Sequence, residues 1–226
     1  RQVVRNGLPA SAFDPVRPAE LATALPLVLC VANLISYKGH RYLFDAVASL
    51  SSRGLPCTLA LAGDGPERAA LEHRADRLGI DVRFLGPRSD IERLLARAAV
   101  AVLPSLEEGM SNAVMEAMAA GRPVVATDVG DTAELLRDRG VLVPPADSAA
   151  LADGLERVLT DPVLAGRLAR RARAWSRDHL PVDAMVDRHI GIYTALLDHK
   201  RGGRPQRIRP EGEHSEHEHG GISCAE

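Results

Sequence analysis

The chain has 226 residues, 46% of them hydrophobic and 26% charged, which is long enough for one large or two small domains. Its formal net charge of -2 excludes the basic excess typical of nucleic-acid-binding proteins, so we expect no nucleic-acid partner. No apolar run is as long as a transmembrane helix, and no signal peptide opens the sequence.

Cysteine usage indicates the compartment. The three cysteines are an odd and sparse set, which argues against a disulfide framework and favours a reducing cytoplasm. Cys30 and Cys57 lie in apolar, strand-like runs, where we expect them to be small buried hydrophobic residues. Because the first residue is Arg1 rather than Met, we expect the natural chain to begin further upstream.

From Pro26 the sequence alternates apolar, strand-like runs with helical patterns. We interpret 26–180 as one domain, preceded by an entry segment over 1–25. Its predicted elements are strand 27–32, helix 39–52, strand 57–62, a helix opened by Pro66, strand 82–85, helix 91–98, strand 100–103, a helix after Glu108, and strands 124–127 and 141–143. Continuous apolar strands between helices are typical of a parallel sheet covered on both faces. The sequence therefore predicts a doubly wound, Rossmann-like α/β domain.

The remainder of the chain is predicted to be helical and then disordered. Helical patterns cover 149–159, 162–175 and 182–197, and we assign 181–199 to a C-terminal helix that crosses to something outside the domain. From residue 200 the apolar content is too low for folding, so we predict a disordered polar tail over 200–226. Its His214, His217 and His219 have spacing that could suit a metal, but an alternating Glu/His tail is interpreted as a solvated end, and we assign no metal site.

The most informative segment runs from Glu108 to Gly121. Glu116 is the only charged residue between Glu108 and Arg122, on an otherwise apolar helix. A buried carboxylate needs a partner, and the residues one turn away are small, which leaves a slot for a polyhydroxylated ligand. The alternative is an ordinary glutamate on a solvated helix face.

Polar residues follow the ends of the predicted strands. Lys38, Asp64, Arg88, Glu108 and Asp128 each come shortly after a strand. Ligands of open parallel sheets bind outside the carboxyl ends of the strands, so we expect several of these side chains to converge on one crevice. Lys38 is also one of only two lysines in a chain that otherwise uses arginine, so either this position requires a compact ammonium or the lysine is there by chance.

Together these groups suit a nucleotide. The backbone from Gly109 to Ala113 lies at a helix N-terminus, which attracts phosphate, and Lys38 would add a full positive charge. Glu116 is placed to accept hydrogen bonds from ribose hydroxyls. The sequence lacks the third glycine of a dinucleotide fingerprint, a Walker lysine motif and a nucleophile elbow around Ser105 or Ser111. These absences disfavour dehydrogenases, kinases, simple nucleotide triphosphatases and hydrolases.

The spacing from Glu108 to Glu116, followed by the run 117–130, resembles the donor-binding half of retaining GT-B glycosyltransferases of family 4, the glycosyl transferases group 1. Further motifs of this resemblance are Asn6-Gly7-Leu8, Val31-Ala32-Asn33-Leu34, Lys38-Gly39, Ala62-Gly63-Asp64-Gly65-Pro66, Phe84-Leu85-Gly86 and Leu103-Pro104-Ser105. The resemblance covers about residues 2–198. It implies a nucleotide-diphosphate sugar as donor substrate, with no metal or other cofactor.

The resemblance also implies roles for individual residues. Glu116 would hold the ribose, Lys38 the diphosphate and Glu108 the transferred sugar. The backbone amides near the helix start would meet the phosphates, and the remaining loop residues complete the proposed nucleotide-sugar site: Gly109, Met110, Ser111, Asn112, Asn33, Gly63, Asp64 and Arg88. Arg88 could approach the base. Asn33 stands where the family often has arginine, which removes one expected phosphate partner.

Members of this family have two Rossmann-like domains, and the first one supplies the acceptor site. The resemblance therefore implies an N-terminal acceptor domain that precedes these residues, and it is compatible with peripheral association of that domain with the cytoplasmic face of a membrane. This chain alone should bind donor weakly and transfer little. Two alternatives stay open: a non-catalytic nucleotide-sugar-binding module or half of a split transferase, and a GT-B sugar-nucleotide epimerase.

Overall fold

The computed structural model describes residues 4–200 of the chain. Contacts between residues divide the chain into two compact units at the Val186/Asp187 bond. The polar tail from residue 201 onward, with its histidines and Cys224, lies outside the described residues, and Lys200 is the last residue of a helix. Cys30 and Cys57 are free and buried, as the sequence predicts.

A six-stranded, fully parallel sheet forms the centre of the first unit. Its strands are β1 (Leu27–Val31), β2 (Thr58–Ala62), β3 (Val82–Gly86), β4 (Val100–Leu103), β5 (Val124–Thr127) and β6 (Val141–Val143). Their order in the sheet is β3-β2-β1-β4-β5-β6, and every neighbouring pair is parallel. The predicted doubly wound α/β fold is confirmed.

The helices follow the predicted pattern with shifts at their ends. They are α1 (His40–Ser52), α2 (Arg68–Leu78), α3 (Ile91–Arg97), α4 (Asn112–Ala119), α5 (Thr132–Leu136), α6 (Ser148–Thr160), α7 (Pro162–His179) and α8 (Val182–Lys200). The prediction that Pro66 opens α2 is wrong, because Pro66 lies in a turn before it. Leu78, the last residue of α2, has the apolar character of an inward-facing position, but it is 37% exposed because it ends the helix beside Gly79. The sequence analysis missed the short α5.

Both faces of the sheet are covered. Val28 and Cys30 of β1 belong to one apolar cluster, with residues of α1, α2 and α6, whereas Leu27 and Leu29 belong to another, with residues of α3, α4 and α5. Because successive side chains of a strand point to opposite faces, a strand buried on both sides must be continuously apolar. The periodicity argument therefore identified these strands correctly.

The order of the strands locates the crevice. The chain leaves β1 toward β2 on one side and leaves β4 toward β5 on the other, although β1 and β4 are neighbours. This reversal opens a gap at the carboxyl ends of β1 and β4, where ligands of such sheets bind. The loops after these two strands carry Lys38 and Glu108.

The N-terminal segment packs along the first unit. The backbone of Leu8 bonds to both sides of Pro181, with its N–H 2.7 Å from the Leu180 carbonyl oxygen and its carbonyl 2.9 Å from the Val182 nitrogen. Leu8 and Ala19 are buried. Within residues 4–200, no helix combines the length and the apolar character that a bilayer crossing requires.

Candidate functional site

A cavity of about 650 Å³ lies at the carboxyl ends of the strands. It is lined by almost all of the site residues that the sequence analysis selected: Asn33, Lys38, Gly63, Asp64, Arg88, Glu108, Met110, Ser111, Asn112 and Glu116. Gly109 is not among the lining residues, although both of its neighbours along the chain are. Asp128, the remaining strand-end residue, also lies outside the lining.

Lys38 reaches the cavity through a tight turn. The 3₁₀ turn Ser36–Lys38 follows β1 and ends at Gly39, which has a left-handed φ of 68°. A Cβ on Gly39 would lie only 2.0 Å from the Pro104 carbonyl oxygen. Glycine is therefore required for both its conformation and its close approach, which seats the Lys38 turn against the loop after β4.

Lys38 and Glu108 form an ion pair at one end of the cavity. Lys38 Nζ lies 2.6 Å from Glu108 Oε1, and the two side chains are 18% and 10% exposed. Such a charged hydrogen bond compensates two charges that have lost most of their water. We call the group of Lys38, Glu108 and Ser105 the ion-paired end.

Glu108 has a second hydrogen-bond donor. Ser105 Oγ, on a buried residue, donates to the same Oε1 at 2.7 Å. In the sequence, Ser105 was considered as a nucleophile and as part of a motif, and its contact with Glu108 was not predicted. The available signal was its position: it is the second residue after β4 and precedes Glu108 by three residues.

Glu116 also lines the cavity, from α4, and we call this carboxylate the unpaired end. It is half-buried, and within residues 4–200 its carboxylate has no hydrogen bond or ion pair. Burial raises the pKa of its carboxyl, and the neighbouring charge of Glu92 raises it further. Among the described residues, the Glu116 carboxylate therefore lines the cavity as a hydrogen-bond acceptor without a neutralising partner.

The start of α4 connects the two ends. Ser111 is the N-cap, and its Oγ accepts from the Val114 N–H at 3.4 Å. The first amides of a helix lack intrahelical partners, and the helix dipole makes this region attractive to anions. A Cβ on Gly109 would meet nothing within 4 Å, so the approach to these amides is open.

The N-terminal segment also reaches this helix start. The Asn6 N–H points to Met110 Sδ at 3.2 Å, and Asn6 Nδ2 donates to Asn112 Oδ1 at 3.4 Å. The sequence analysis quoted Asn6 only as part of a motif. Asn6 thus contacts two cavity-lining residues from the segment that precedes the sheet.

The remaining lining residues are held by local bonds. Arg88 forms a two-pronged pair with Asp90, with both N–O distances at 2.8 Å. Asp64 Oδ1 accepts from the Gly65 N–H at 2.8 Å. Asn33, in contrast, is exposed in the loop after β1. Arg88 therefore lines the cavity with a guanidinium that is already engaged.

Two buried titratable groups lie near the ion-paired end. Burial raises the pKa of the Cys30 thiol to about 12, which keeps it protonated and unreactive. Burial, with the Lys38 charge, lowers the pKa of His40 to about 4, so its ring is neutral at physiological pH. Neither ring nitrogen of His40 has a hydrogen-bond partner among the described residues.

Comparison with known families and structures gives a consistent result. A family model described as glycosyl transferases group 1 matches residues 25–161. Alpha-D-kanosaminyltransferase of Streptomyces kanamyceticus is 35% identical over 177 residues, which are 76% of this chain and 46% of that protein. The chain thus spans about half the length of the relatives it matches.

Solved structures support the same fold. The structure of Anabaena HepE in complex with UDP superposes with a TM-score of 0.76 at 25% identity, over 86% of this chain and 57% of that one. The C-terminal domain of the glycosyl transferase group 1 protein LpcC from Francisella tularensis has a TM-score of 0.64 at 22% identity, over 78% of this chain and all of that domain.

Proposed function

Because the chain belongs to the glycosyl transferases group 1 family and has the fold of a GT-B C-terminal domain, we propose that it binds the donor of a retaining glycosyltransferase of family 4. The donor is a nucleotide-diphosphate sugar, and the transferred group is a hexose. In the reaction, the bond between the anomeric carbon and the diphosphate breaks and a bond to an acceptor hydroxyl forms on the same face. The proton of that hydroxyl leaves with the nucleoside diphosphate.

The unpaired carboxylate of Glu116 carries this proposal. A half-buried charge without a protein partner is unfavourable unless a ligand completes it. Two adjacent hydroxyl groups, such as those of a ribose, donate to the two oxygens of one carboxylate. The similar structure of Anabaena HepE was solved in complex with UDP, which supports a donor that contains a ribose.

The diphosphate belongs beside Lys38 and the start of α4. The Lys38 ammonium offers a full charge, and the amides around Met110, Ser111 and Asn112 lie at the helix terminus that favours anions. Negative charge grows on the diphosphate as the glycosidic bond breaks, so these groups would stabilise the transition state. We propose that this stabilisation needs no metal ion.

Glu108 is assigned to the transferred sugar. Its carboxylate is hydrogen-bonded to the Lys38 ammonium. A sugar attached to a diphosphate that Lys38 binds would therefore lie close to the Glu108 carboxylate. Gly63, Asp64, Asn33 and Arg88 line the same cavity, and we assign Arg88 to the base. These residues would surround the donor, with Glu108 at the reacting end.

The whole reaction needs an acceptor site. The matched segment covers about half the length of these two relatives, which supports an acceptor domain that precedes it in the sequence. We propose that catalysis occurs between the two domains, in the cytoplasm, and that any contact with a membrane surface is made by the acceptor domain. The isolated chain would then bind donor with little transfer.

A nucleotide screen tests the donor site. Thermal-shift measurements with UDP, ADP and GDP and their glucose or mannose conjugates should identify one base that stabilises the chain. By calorimetry, Glu116→Ala and Lys38→Ala should each weaken binding of that nucleotide by about 1–3 kcal/mol, the range for hydrogen bonds to charged groups. Glu107→Ala is the matched control, since Glu107 is exposed and lies outside the cavity lining. Unchanged affinity in both site variants would reject the site.

A further inference from the structure

Ser105 is a buried side chain that touches the site without lining it. The residue is 0% exposed and is absent from the cavity wall. Its hydroxyl donates to Glu108 Oε1 at 2.7 Å, the same oxygen that receives Lys38 at 2.6 Å. Within residues 4–200, both described bonds to the Glu108 carboxylate end on Oε1, which leaves Oε2 for a ligand.

The sheet itself holds Ser105. The buried Thr127, the last residue of β5, donates its hydroxyl proton to the Ser105 carbonyl oxygen at 2.6 Å. On the other side, the Pro104 carbonyl packs against Gly39. The backbone of Ser105 is therefore connected to the ends of two central strands and to the Lys38 turn.

The two donors to Glu108 differ in how firmly they are held. Lys38 has a flexible four-carbon stem, and its charge is attracted to any phosphate that enters the cavity. Ser105 has only one rotatable bond between its backbone and its hydroxyl oxygen, and the residue is fully buried. If the ammonium moves toward a diphosphate, a carboxylate that is only 10% exposed still needs a donor, and Ser105 supplies one.

We propose that Ser105 is a positioning residue that holds Glu108 Oε1 while Lys38 exchanges that oxygen for the donor diphosphate. Glu108 then keeps Oε2 directed at the transferred sugar in the loaded site. This inference rests on the proposed function, because it requires a ligand that carries both a diphosphate and a sugar.

Paired ligands separate this role from a general structural one. Affinities of the purified chain and of Ser105→Ala are measured for UDP and UDP-glucose, ADP and ADP-glucose, and GDP and GDP-mannose. For the pair that binds, Ser105→Ala should lower the affinity for the sugar conjugate about 3- to 10-fold, which is less than the loss of a direct hydrogen bond to a charged group, because Ser105 acts on the sugar only through Glu108. The affinity for the free nucleoside diphosphate should stay within about twofold.

Ser176→Ala is the matched control. Ser176 is also 0% exposed and donates a hydrogen bond to a backbone oxygen, but it lies in α7, away from the cavity. Thr127→Val should act in the same direction as Ser105→Ala with a smaller effect, because it frees the Ser105 backbone. An equal loss for both members of a pair, or no loss for either, would overturn the assignment.

A second measurement needs no ligand. Melting temperatures of Lys38→Ala, Ser105→Ala and the double variant form a double-mutant cycle. Because the double variant leaves a nearly buried carboxylate with neither donor, its melting temperature should fall by more than the sum of the two single losses. Additive losses would show that Ser105 does not anchor Glu108.

The two measurements distinguish the possible failures. If the unmodified chain binds none of the nucleotides, the proposed function fails, and the unfolding cycle alone decides whether Ser105 anchors Glu108. If it binds a pair and Ser105→Ala leaves their affinity ratio unchanged, only the role of Ser105 is overturned. Ser105→Cys, which keeps the shape with a weaker donor, replaces the alanine variant if that variant does not fold.

Discussion

The two ends of the cavity treat their carboxylates in opposite ways. At the ion-paired end, Glu108 shares one oxygen between Lys38 and Ser105. At the unpaired end, Glu116 has no protein partner within residues 4–200, although it is half-buried. The difference teaches that one carboxylate is compensated within the protein, whereas the other is left available to a ligand.

The difference also assigns different costs to binding. A donor diphosphate competes with Glu108 for the Lys38 ammonium. Loss of the Lys38–Glu108 ion pair would therefore offset part of the free energy gained from the new contact between Lys38 and the diphosphate. A ribose that reaches Glu116 displaces only water. Within the range given above for both variants, we therefore expect Glu116→Ala to weaken nucleotide binding more than Lys38→Ala does, and we expect Glu108 to act mainly on turnover.

The largest expected effect tests that division. In the protein that includes an acceptor domain, Glu108→Gln should lower turnover by about 10²–10³-fold, the range for loss of one transition-state electrostatic contact. Donor affinity should change far less, because the ribose and diphosphate contacts remain. Steady-state kinetics with calorimetry measures both quantities, with Glu107→Gln as control. Equal losses in turnover and affinity would place Glu108 among the binding residues only.

Acid should destabilise the ion-paired end through His40. Its pKa is about 4 in the folded chain and near 6.5 when unfolded, so the unfolded state binds the extra proton between these values. The free energy of unfolding should therefore fall as the pH falls from 6.5 to 4, by about 3 kcal/mol from this group. Urea unfolding at several pH values should show that His40→Leu removes this slope, whereas His73→Gln on exposed α2 surface keeps it. A slope that persists in His40→Leu would contradict the assignment.

Neutralising the unpaired end should stabilise the free chain. Burial raises the pKa of Glu116, so the charged form is penalised in the folded state at neutral pH. Glu116→Gln should raise the free energy of unfolding at pH 7 by about 1 kcal/mol or less, because the group is partly solvated. The gain should vanish below the ordinary pKa of glutamate, where the unfolded carboxyl is also protonated. A destabilised variant would indicate that Glu116 has a partner after all.

Arg88 should have the smallest effect of the four. It lines the cavity, but Asp90 already engages its guanidinium through two hydrogen bonds, and both side chains are accessible to solvent. Arg88→Ala should therefore change nucleotide affinity by less than about twofold, as is usual for exposed ion pairs. Calorimetry with the nucleotide found in the screen measures this. A tenfold loss would show that Arg88 leaves Asp90 to contact the base.

Much of the fold could be predicted because its signals are local. The strands are continuous apolar runs, and alternation with helices implies a parallel sheet whose carboxyl ends collect the functional loops. Lys38 and Glu108 were selected on that ground, and the structure brings them within 2.6 Å. Asp128 satisfied the same rule but lies outside the cavity, since a position after a strand does not determine where a side chain points.

The doubly wound architecture could thus be predicted from the sequence by itself, and so could the position of Glu116 as an isolated charge on an apolar helix. Both depend on periodicity and composition, which are patterns of neighbouring positions. Only the tertiary structure decided that Ser105 and Lys38 share one oxygen of Glu108, that Asp90 engages Arg88, and that Glu116 has no partner among the described residues. The Lys38–Glu108 contact joins residues 70 positions apart in the chain, and the Ser105 and Arg88 contacts depend on how the loops after the strands turn. Such contacts are set by how the sheet twists and the helices pack, which no local pattern encodes.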